Sequence, residues 1–365
     1  MAVKVVFRVD ASMQIGTGHV IRCLTLAEGL RDHGAVCSFI CREHQGHLLD
    51  RIKEKSFDVV TLLDNEEGFL TDSSDLMSLP AHASWLGCGW QTDAEQTISV
   101  LNNVQPDWLV VDHYALDARW ENVIKPYCKR LMVVDDIADR IHECDLLLDQ
   151  NLVYEMESRY QDKVPNTCTL LLGLDYALLQ PVYAKMHDCV QIKNESVQRI
   201  LIYFGGADQN KLTERTISAF MQLNRPDIEV DVVISSKSHQ AGLIEEQILN
   251  KDNIHLHSDL PTLASLMSKA DLAIGAGGST NWERLCLGLP ALVVSISENQ
   301  RQVTKFLNDQ GLIKLMGHAD EIDNQRIKVE LEQILAMPNL FDWSKCCLDA
   351  CNGKGLLKVV EILMS

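Results

Sequence analysis

The sequence predicts an α/β protein with two doubly wound parallel sheets that face each other across a cleft. Short apolar runs without polar alternation recur in both halves of the chain, which is typical of parallel strands covered by helices on both faces. Stretches with an apolar period of about 3.6 residues, typical of helices, separate these runs. At 365 residues, the chain is long enough for two hydrophobic cores of ordinary size.

Ten strands are predicted from these runs. They lie at residues 3–9, 36–41, 58–63, 108–111, 131–134, 200–204, 230–234, 254–257, 272–275 and 291–295. The first helix carries its apolar residues at helical spacing: Val20, Cys23, Leu24, Ala27 and Leu30. Because the chain becomes polar and charged around residues 175–198, we predict domains of residues 1–185 and 186–365.

Composition argues against several classes of protein. The net charge of −18 argues against a nucleic-acid partner, which normally requires a basic surface. No apolar stretch reaches the ~20 residues of a membrane helix, and the first residues read as a strand rather than a signal peptide. We therefore expect a cytoplasmic monomer without stable membrane association.

The 12 cysteines are scattered and include no C-x-x-C pair, so we expect reduced thiols. Three of them lie close together: Cys346, Cys347 and Cys351. No histidine follows them at the spacing of metal ligands, and we predict no metal site there.

A glycine-rich turn follows the predicted strand at residues 272–275. Its glycines are Gly275, Gly277 and Gly278. They let backbone N–H groups approach an anion, and the helix that Ser279 or Thr280 opens adds roughly half a positive charge. A diphosphate is the expected ligand, and Glu283 is placed to accept hydrogen bonds from ribose hydroxyls. Tight strand-to-helix turns need glycine in any α/β protein, so the turn alone leaves a purely structural role equally open.

This segment resembles the donor-binding half of GT-B glycosyltransferases, notably the enzyme that adds N-acetylglucosamine to the lipid-linked peptidoglycan precursor. The resemblance rests on Glu283, four positions after Ser279, and on the sequence GLP at residues 288–290. It implies a GT-B-like fold with two Rossmann-type domains, with Glu283 holding ribose and backbone groups near Leu260 meeting uracil. In such proteins the last helix, here near residues 345–364, often crosses back to the first domain.

A histidine begins the helix that follows the first strand. His19 lies just behind Gly16 and Gly18, at the carboxyl end of that strand, where side chains point into the predicted cleft. Neutral imidazole is the usual general base near pH 7. The position alone fits a capping or backbone contact equally well.

Five residues here together resemble the N-terminal signature of a family of hydrolases in pseudaminic acid biosynthesis: Asp10, Gly16, Gly18, His19 and Arg22. Members of that family act on UDP-2,4-diacetamido-2,4,6-trideoxy-β-L-altropyranose. Three later motifs resemble the same family in the same order: Asp112-His113-Tyr114, Gly205-Gly206-Ala207-Asp208 and Asn299-Gln300. These motifs span residues 10–300, although Gln180 stands where the family often has arginine.

The resemblance implies that His19 is the catalytic base. It also implies a set of substrate-binding residues: Asp10, Gly16, Gly18, Arg22, Tyr114, Gly205, Gly206, Leu260, Gly278, Ser279, Thr280, Glu283, Asn299 and Gln300. Water would attack the anomeric carbon with inversion, releasing UDP and 2,4-diacetamido-2,4,6-trideoxy-L-altrose. Because UDP leaves readily once its charge is stabilised, we expect no metal and no cofactor.

Structural roles stay open for several of these residues. Asp112 and His113 can be satisfied polar groups at a strand end, the glycines at 205 and 206 can serve only their turn, and Asn299 and Gln300 can cap a helix. The loop at residues 64–90 is long for a compact domain. We expect its two tryptophans, Trp85 and Trp90, to pack onto the domain.

Two alternative functions share these features. An inverting GT-B glycosyltransferase would use the same base on an acceptor hydroxyl, but the sequence has no Lys/Arg-rich amphipathic segment of the kind that membrane-associated transferases show. That difference favours water. A nucleotide-sugar sensor would need neither His19 nor its glycines.

Overall fold

The chain divides into two compact units in a computed structural model. The described residues are 2–63, 79–193, 196–205, 208, 210–236 and 238–365. The first unit comprises residues 1–151, 155–178 and 355–365. The second comprises residues 152–154 and 179–354, so the boundary predicted between residues 185 and 186 falls inside the second unit.

The first unit contains a sheet of seven parallel strands in the order β3-β2-β1-β4-β5-β6-β7. The strands are β1 (Lys4–Val9), β2 (Val36–Arg42), β3 (Asp58–Leu62), β4 (Trp108–Asp112), β5 (Arg130–Val134), β6 (Leu146–Asp149) and β7 (Thr169–Leu172). Its helices are α1 (Gly18–Asp32), α2 (Leu49–Glu54), α3 (Trp90–Val104), α4 (Ala118–Ile124) and α13 (Gly355–Met364). The strand order reverses between β1 and β4, and ligands of doubly wound sheets bind at such a switch point.

The second unit contains six parallel strands in the order β10-β9-β8-β11-β12-β13. The strands are β8 (Arg199–Tyr203), β9 (Glu229–Val233), β10 (Ile254–His257), β11 (Leu272–Ala276), β12 (Ala291–Ser295) and β13 (Lys314–His318). Its helices are α5 (Pro181–His187), α6 (Leu212–Met221), α7 (Ala241–Gln247), α8 (Ala264–Lys269), α9 (Thr280–Cys286), α10 (Glu298–Asp309), α11 (Asn324–Leu335) and α12 (Phe341–Ala350). The equivalent switch point lies between β8 and β11.

The predicted fold class of two α/β domains with doubly wound parallel sheets is confirmed, and all ten predicted strands are present. Three strands escaped prediction: β6, β7 and β13. The first two have only four residues each, and such short apolar runs do not distinguish a strand from a buried helical turn. In β13, Gly317 has a left-handed φ of 136° next to a register shift against β12, so the strand lacks a regular pattern.

The predicted helix near residues 345–364 is two helices, α12 and α13. Gly353 separates them with a left-handed φ of 72°, which a helix interior does not allow. The part after this break belongs to the first unit. There α13 lies on α1, and a side chain at Gly29 would come within 3.1 Å of Val360, so glycine permits the close approach.

The predicted loop at residues 64–90 is described only in part, since residues 64–78 lie outside the described residues. Trp90 is the first residue of α3 and packs against the core of the first unit, as expected. Trp85 contacts two rings, with centroid distances of 4.3 Å to His82 and 5.7 Å to Tyr114. Among the described helices, none is both long and apolar enough to span a bilayer.

The packing of α13 generates a stability prediction. Leu363 is fully buried, and its carbonyl accepts a hydrogen bond from Trp108 Nε1 at 2.9 Å. We expect Leu363→Ala to lower the free energy of unfolding by ~2–5 kcal/mol, because the substitution leaves a cavity in the core. Leu357 lies in the same helix but is 46% exposed, so Leu357→Ala should cost under ~0.5 kcal/mol. Urea titration of both variants measures the difference, and equal losses would contradict this packing.

Candidate functional site

The first candidate site lies at the switch point between β1 and β4. Asp112 is the last residue of β4 and pairs in register with Val9 of β1. His19 stands in the first turn of α1, shortly after β1, and its Nδ1 lies 2.5 Å from Asp112 Oδ1. His19 is 7% exposed and Asp112 is 1% exposed. The fold therefore places the predicted base in a buried contact with a carboxylate.

The hydrogen bonds assign the tautomer of His19. A contact of 2.5 Å to a carboxylate oxygen requires a proton on Nδ1, so in the neutral ring the lone pair is on Nε2. Arg22 Nη2 also lies 3.2 Å from Nδ1, but it cannot donate to a nitrogen that already carries hydrogen. Among the described residues, none hydrogen-bonds to Nε2. That nitrogen is the one able to accept a proton.

Arg22 fixes the carboxylate that holds His19. Its Nε and Nη2 each donate to an oxygen of Asp112 at 2.6 Å, which is the bidentate geometry of a strong charged pair. Burial alone would raise the pKa of Asp112, but the charge of Arg22 and the contact with His19 lower it well below its ordinary value. Asp112 is therefore an anion that can stabilise a protonated His19.

Two more residues close the site around the imidazole. Arg22 Nη1 donates to Asp136 Oδ2 at 2.7 Å, and the hydroxyl of Tyr114 donates to Asp136 Oδ1. The ring of Tyr114 meets the edge of the His19 ring at a centroid distance of 4.7 Å. His19, Asp112, Arg22, Asp136 and Tyr114 thus form a closed set of contacts that restricts rotation of the imidazole.

Asp10 and His113 lie in the interior beneath this site. Asp10 is fully buried and accepts hydrogen bonds from Arg8 Nη1 and from the backbone N–H of Arg42, both at 2.6 Å. His113 accepts from the backbone N–H of Ala115 through Nδ1, and its Nε2 lies 3.3 Å from Asp10 Oδ2. Both residues therefore have protein partners, and a role of Asp10 in substrate binding stays a prediction.

Of the two glycine positions before His19, the structure requires glycine at one and not at the other. Gly16 has a left-handed φ of 81° and closes a tight turn by donating to the carbonyl of Ser12 at 2.9 Å. The backbone geometry of the turn thus accounts for Gly16. At Gly18 a side chain would meet nothing within 4 Å, so packing does not require glycine there. Open space beside the first turn of α1 is what a bound substrate would need.

In the second unit, packing explains two of the three glycines at the end of β11 and just after it. A side chain at Gly275 would lie 2.3 Å from the carbonyl oxygen of Tyr203, and one at Gly277 would lie 2.3 Å from Thr304 Cγ2. At Gly278 the nearest atom would be Gln300 Nε2 at 3.7 Å, an ordinary contact. Packing therefore accounts for Gly275 and Gly277, whereas Gly278 has room beside it for a ligand.

The predicted helix start after this turn is confirmed. Ser279 is the residue before α9 and Thr280 its first residue. Gln300 lies beside the turn, and its Oε1 accepts a hydrogen bond from the backbone N–H of Ile296 at 3.0 Å. Asn299 does not cap α10, because Ser297 precedes that helix and its hydroxyl bonds to Asn299 Oδ1 at 2.5 Å.

Glu283 lies between two tyrosines. It interacts with the hydroxyl of Tyr183, which in turn accepts a hydrogen bond from Thr262 Oγ1 at 3.2 Å. Burial raises the pKa of Glu283 to about 7, and burial together with the charge of Glu283 raises the pKa of Tyr203 to about 12. Thr262 belongs to the loop that also carries Leu260. The structure thus joins the two predicted nucleotide contacts, Glu283 and the Leu260 loop, through Tyr183.

The glycine pair after β8 is only partly described. Gly205 has a left-handed φ of 96°, so its turn requires glycine, whereas Gly206 lies outside the described residues. The carboxylate of Asp208 accepts the backbone N–H groups of Leu212 and Thr213, each at 2.9 Å, and caps α6. The structure therefore gives this motif a structural role in starting a helix.

Sequence reasoning did not select three residues of these sites, Asp136, Tyr183 and Tyr203. Asp136 was visible as an acidic residue shortly after a buried strand, but only the fold shows that β4 and β5 are neighbours. Tyr183 and Tyr203 belong to no recognisable motif, and it is their interaction with Glu283 in the folded protein that makes them relevant. No local pattern in the sequence could have identified those two.

Comparison with known proteins gives distant relatives. A family model described as a protein of unknown function (DUF354) matches residues 206–351. An uncharacterized protein of Methanocaldococcus jannaschii is 23% identical over 82% of this chain, and the spore coat polysaccharide biosynthesis protein SpsG of Bacillus subtilis is 28% identical over 52%. The matches span 57% of the length of each of these two relatives.

A third relative matches along almost its whole length. The UDP-2,4-diacetamido-2,4,6-trideoxy-β-L-altropyranose hydrolase of Campylobacter jejuni is 25% identical over 84% of this chain and 97% of its own. The chain is therefore similar, at a distance, to proteins that process sugar nucleotides and build polysaccharides.

Solved structures show the fold class. MurG of Acinetobacter baumannii superposes with a TM-score of 0.67 at 13% identity, covering 100% of this chain and 99% of its own. UGT89C1 of Arabidopsis thaliana, complexed with UDP-L-rhamnose, gives a TM-score of 0.64 at 12% identity, with complete coverage of both chains. Both are GT-B glycosyltransferases, and the fold of this chain is GT-B-like.

The raised pKa of Glu283 predicts how stability depends on pH. Because the pKa is about 7 in the folded protein and about 4.5 when exposed, the native state binds the proton more tightly, and stability falls as pH rises between these values. Glu283→Gln removes this loss of stability, because glutamine does not ionise. Without ligand, we expect the free energy of unfolding of the variant minus that of the wild type to be ~1–2 kcal/mol larger at pH 8 than at pH 5, after allowance for partial exposure.

Urea titration at the two pH values measures this difference. The exposed Glu245 in α7 provides the matched control, since Glu245→Gln should change stability equally at both. A Glu283→Gln effect that is the same at pH 5 and pH 8 would show that the carboxylate is not desolvated.

Proposed function

We propose that this chain hydrolyses a UDP-sugar at the anomeric carbon with inversion, and that the substrate is UDP-2,4-diacetamido-2,4,6-trideoxy-β-L-altropyranose. The observation that carries the proposal is the contact between His19 and Asp112, which leaves His19 Nε2 as a proton acceptor. The similarity to the Campylobacter jejuni hydrolase over 97% of its length supports the choice of substrate.

In the proposed mechanism, His19 Nε2 removes a proton from water as the water oxygen attacks C1 of the sugar. Asp112 stabilises the imidazolium that forms, and Arg22 keeps Asp112 ionised. The bond between C1 and the diphosphate oxygen breaks, and UDP leaves with the bonding electron pair. The products are UDP and 2,4-diacetamido-2,4,6-trideoxy-L-altrose, which carries the oxygen from water.

The second unit would bind the nucleotide. Gly278 leaves open space beside the start of α9, and backbone N–H groups there can receive the diphosphate. Glu283 would accept the ribose hydroxyls, and the Leu260 loop would meet uracil. Stabilising the charge of the leaving diphosphate is the role we assign to Ser279, Thr280, Asn299 and Gln300.

An inverting glycosyltransferase is the second candidate, because MurG and UGT89C1, which share the GT-B-like fold, are glycosyltransferases. The same histidine would then deprotonate an acceptor hydroxyl, so the two activities differ only in the nucleophile that reaches C1. The fold does not separate them. The identity of the nucleophile must be measured.

The first test is incubation of the protein with the UDP-sugar alone. We expect release of UDP without any added acceptor, and incorporation of one ¹⁸O atom from labelled water into the sugar. Phosphorus NMR follows the UDP and mass spectrometry follows the label. Release that requires an acceptor would establish transfer, and binding without release would establish a sensor.

The second test is His19→Ala. We expect the variant to lose turnover by roughly a hundred- to ten-thousandfold, because a general base typically contributes that much, while its affinity for the UDP-sugar stays within a few-fold. His33, exposed at the other end of α1, provides the matched control, and His33→Ala should leave kcat unchanged. Steady-state kinetics measures both variants. Near-normal turnover of His19→Ala would remove His19 from the mechanism.

A further inference from the structure

Arg284 lies beneath the glycine turn of the second unit. It stands in α9, and its side chain points back toward the start of the helix, where Nη2 donates to the carbonyl of Ala276 at 2.8 Å and to Oδ1 of Asn281. A side chain at Gly275 would lie 2.6 Å from Arg284 Nη1. Because Arg284 is 3% exposed, the guanidinium is enclosed directly against the turn.

This guanidinium has no counter-ion in the described part of the chain. The other four buried arginines each pair with a carboxylate: Arg8, Arg22, Arg42 and Arg140. Among the described residues, Arg284 hydrogen-bonds only to a carbonyl and an amide, and neither its Nε nor Nδ2 of the fully buried Asn281 has a hydrogen-bond partner. An unpaired buried cation with unsatisfied neighbours is costly unless something else supplies negative charge.

The cation remains charged at neutral pH. Burial lowers the pKa of Arg284 to about 10, and the approach of Glu283 only partly offsets this effect. Glu283 is itself only about half ionised at pH 7, since burial raises its pKa to about 7. The region beneath the turn therefore carries positive charge that no described protein group fully balances.

We infer that Arg284 is a positioning residue whose counter-charge is the diphosphate of the bound ligand, so that it sets a preference for a nucleoside diphosphate over the uncharged nucleoside. The inference rests on the proposed function only for the identity of the nucleotide. Arg284 acts through the turn rather than by direct contact, because it is enclosed and its donors hold the carbonyl of Ala276. Since α9 has only seven residues, its own dipole supplies little of this attraction.

A purely structural role makes a different prediction. If Arg284 served only to hold the turn through hydrogen bonds to Ala276 and Asn281, Arg284→Gln and Arg284→Lys, which both keep a donor, would weaken UDP binding to a similar extent. A charge that faces the diphosphate across protein of low dielectric acts on the charged ligand, leaves the uncharged one unaffected and is kept by lysine. Loss of the UDP preference in Arg284→Gln together with its retention in Arg284→Lys therefore separates the roles.

The experiment measures the dissociation constants of UDP, uridine and inorganic pyrophosphate by calorimetry or competition. Arg284→Gln removes the charge but keeps an amide donor, whereas Arg284→Lys keeps the charge. We expect Arg284→Gln to weaken UDP and pyrophosphate at least about tenfold and uridine less than about twofold. Arg284→Lys should keep the wild-type ratio of UDP to uridine affinity within about threefold.

The outcomes separate this inference from the proposed function. Wild-type protein that binds pyrophosphate but not UDP would contradict the proposed function and leave the role of Arg284 standing. Equal weakening of UDP and uridine by Arg284→Gln, unchanged UDP binding, or wild-type protein that binds no diphosphate would each overturn the inference. If Arg284→Gln does not fold, Arg284→Lys decides, because loss of its UDP preference would equally overturn it.

Discussion

The carboxylate of Asp112 is the contact on which the first candidate site depends. It ends β4, orients His19 through Nδ1 and receives both donors of Arg22, all away from solvent. A buried carboxylate with two such partners has one stable arrangement, since loss of either would leave charge uncompensated. The register of β1 against β4 brings these groups together. The topology of the sheet thus determines which carboxylate the imidazole contacts.

The two candidate sites use burial in opposite ways. In the first, every charge has a partner, and the low pKa of Asp112 reflects that balance. In the second, the carboxyl of Glu283 has a raised pKa, and Arg284 has no counter-ion among the described residues. The free-energy cost of removing these charges from water is therefore not offset by ion pairs. Fully paired groups suit a site that must hold one geometry before substrate arrives. Uncompensated groups suit a site whose ligand completes it.

The sequence was sufficient for the fold class because short apolar runs and glycine turns are local signals. It located His19 and Glu283 for the same reason, since each follows a strand and a turn. It could not show that packing accounts for Gly275 and Gly277, or that Asp136 belongs beside His19, because these facts depend on neighbours far away in the chain. The break between α12 and α13 was missed because a single glycine ends a helix without interrupting the apolar pattern.

The protonation state of the His19 ring tests the central claim most directly. Nitrogen-15 NMR of protein labelled at histidine distinguishes the two ring nitrogens, and the spectrum of a His19→Gln variant assigns the signals. In the neutral ring, without ligand, we expect hydrogen on Nδ1 and a bare Nε2, because the contact with Asp112 holds the hydrogen on Nδ1. Hydrogen on Nε2 instead would mean that Asp112 does not orient the ring, and His19 could not accept a proton from water as described.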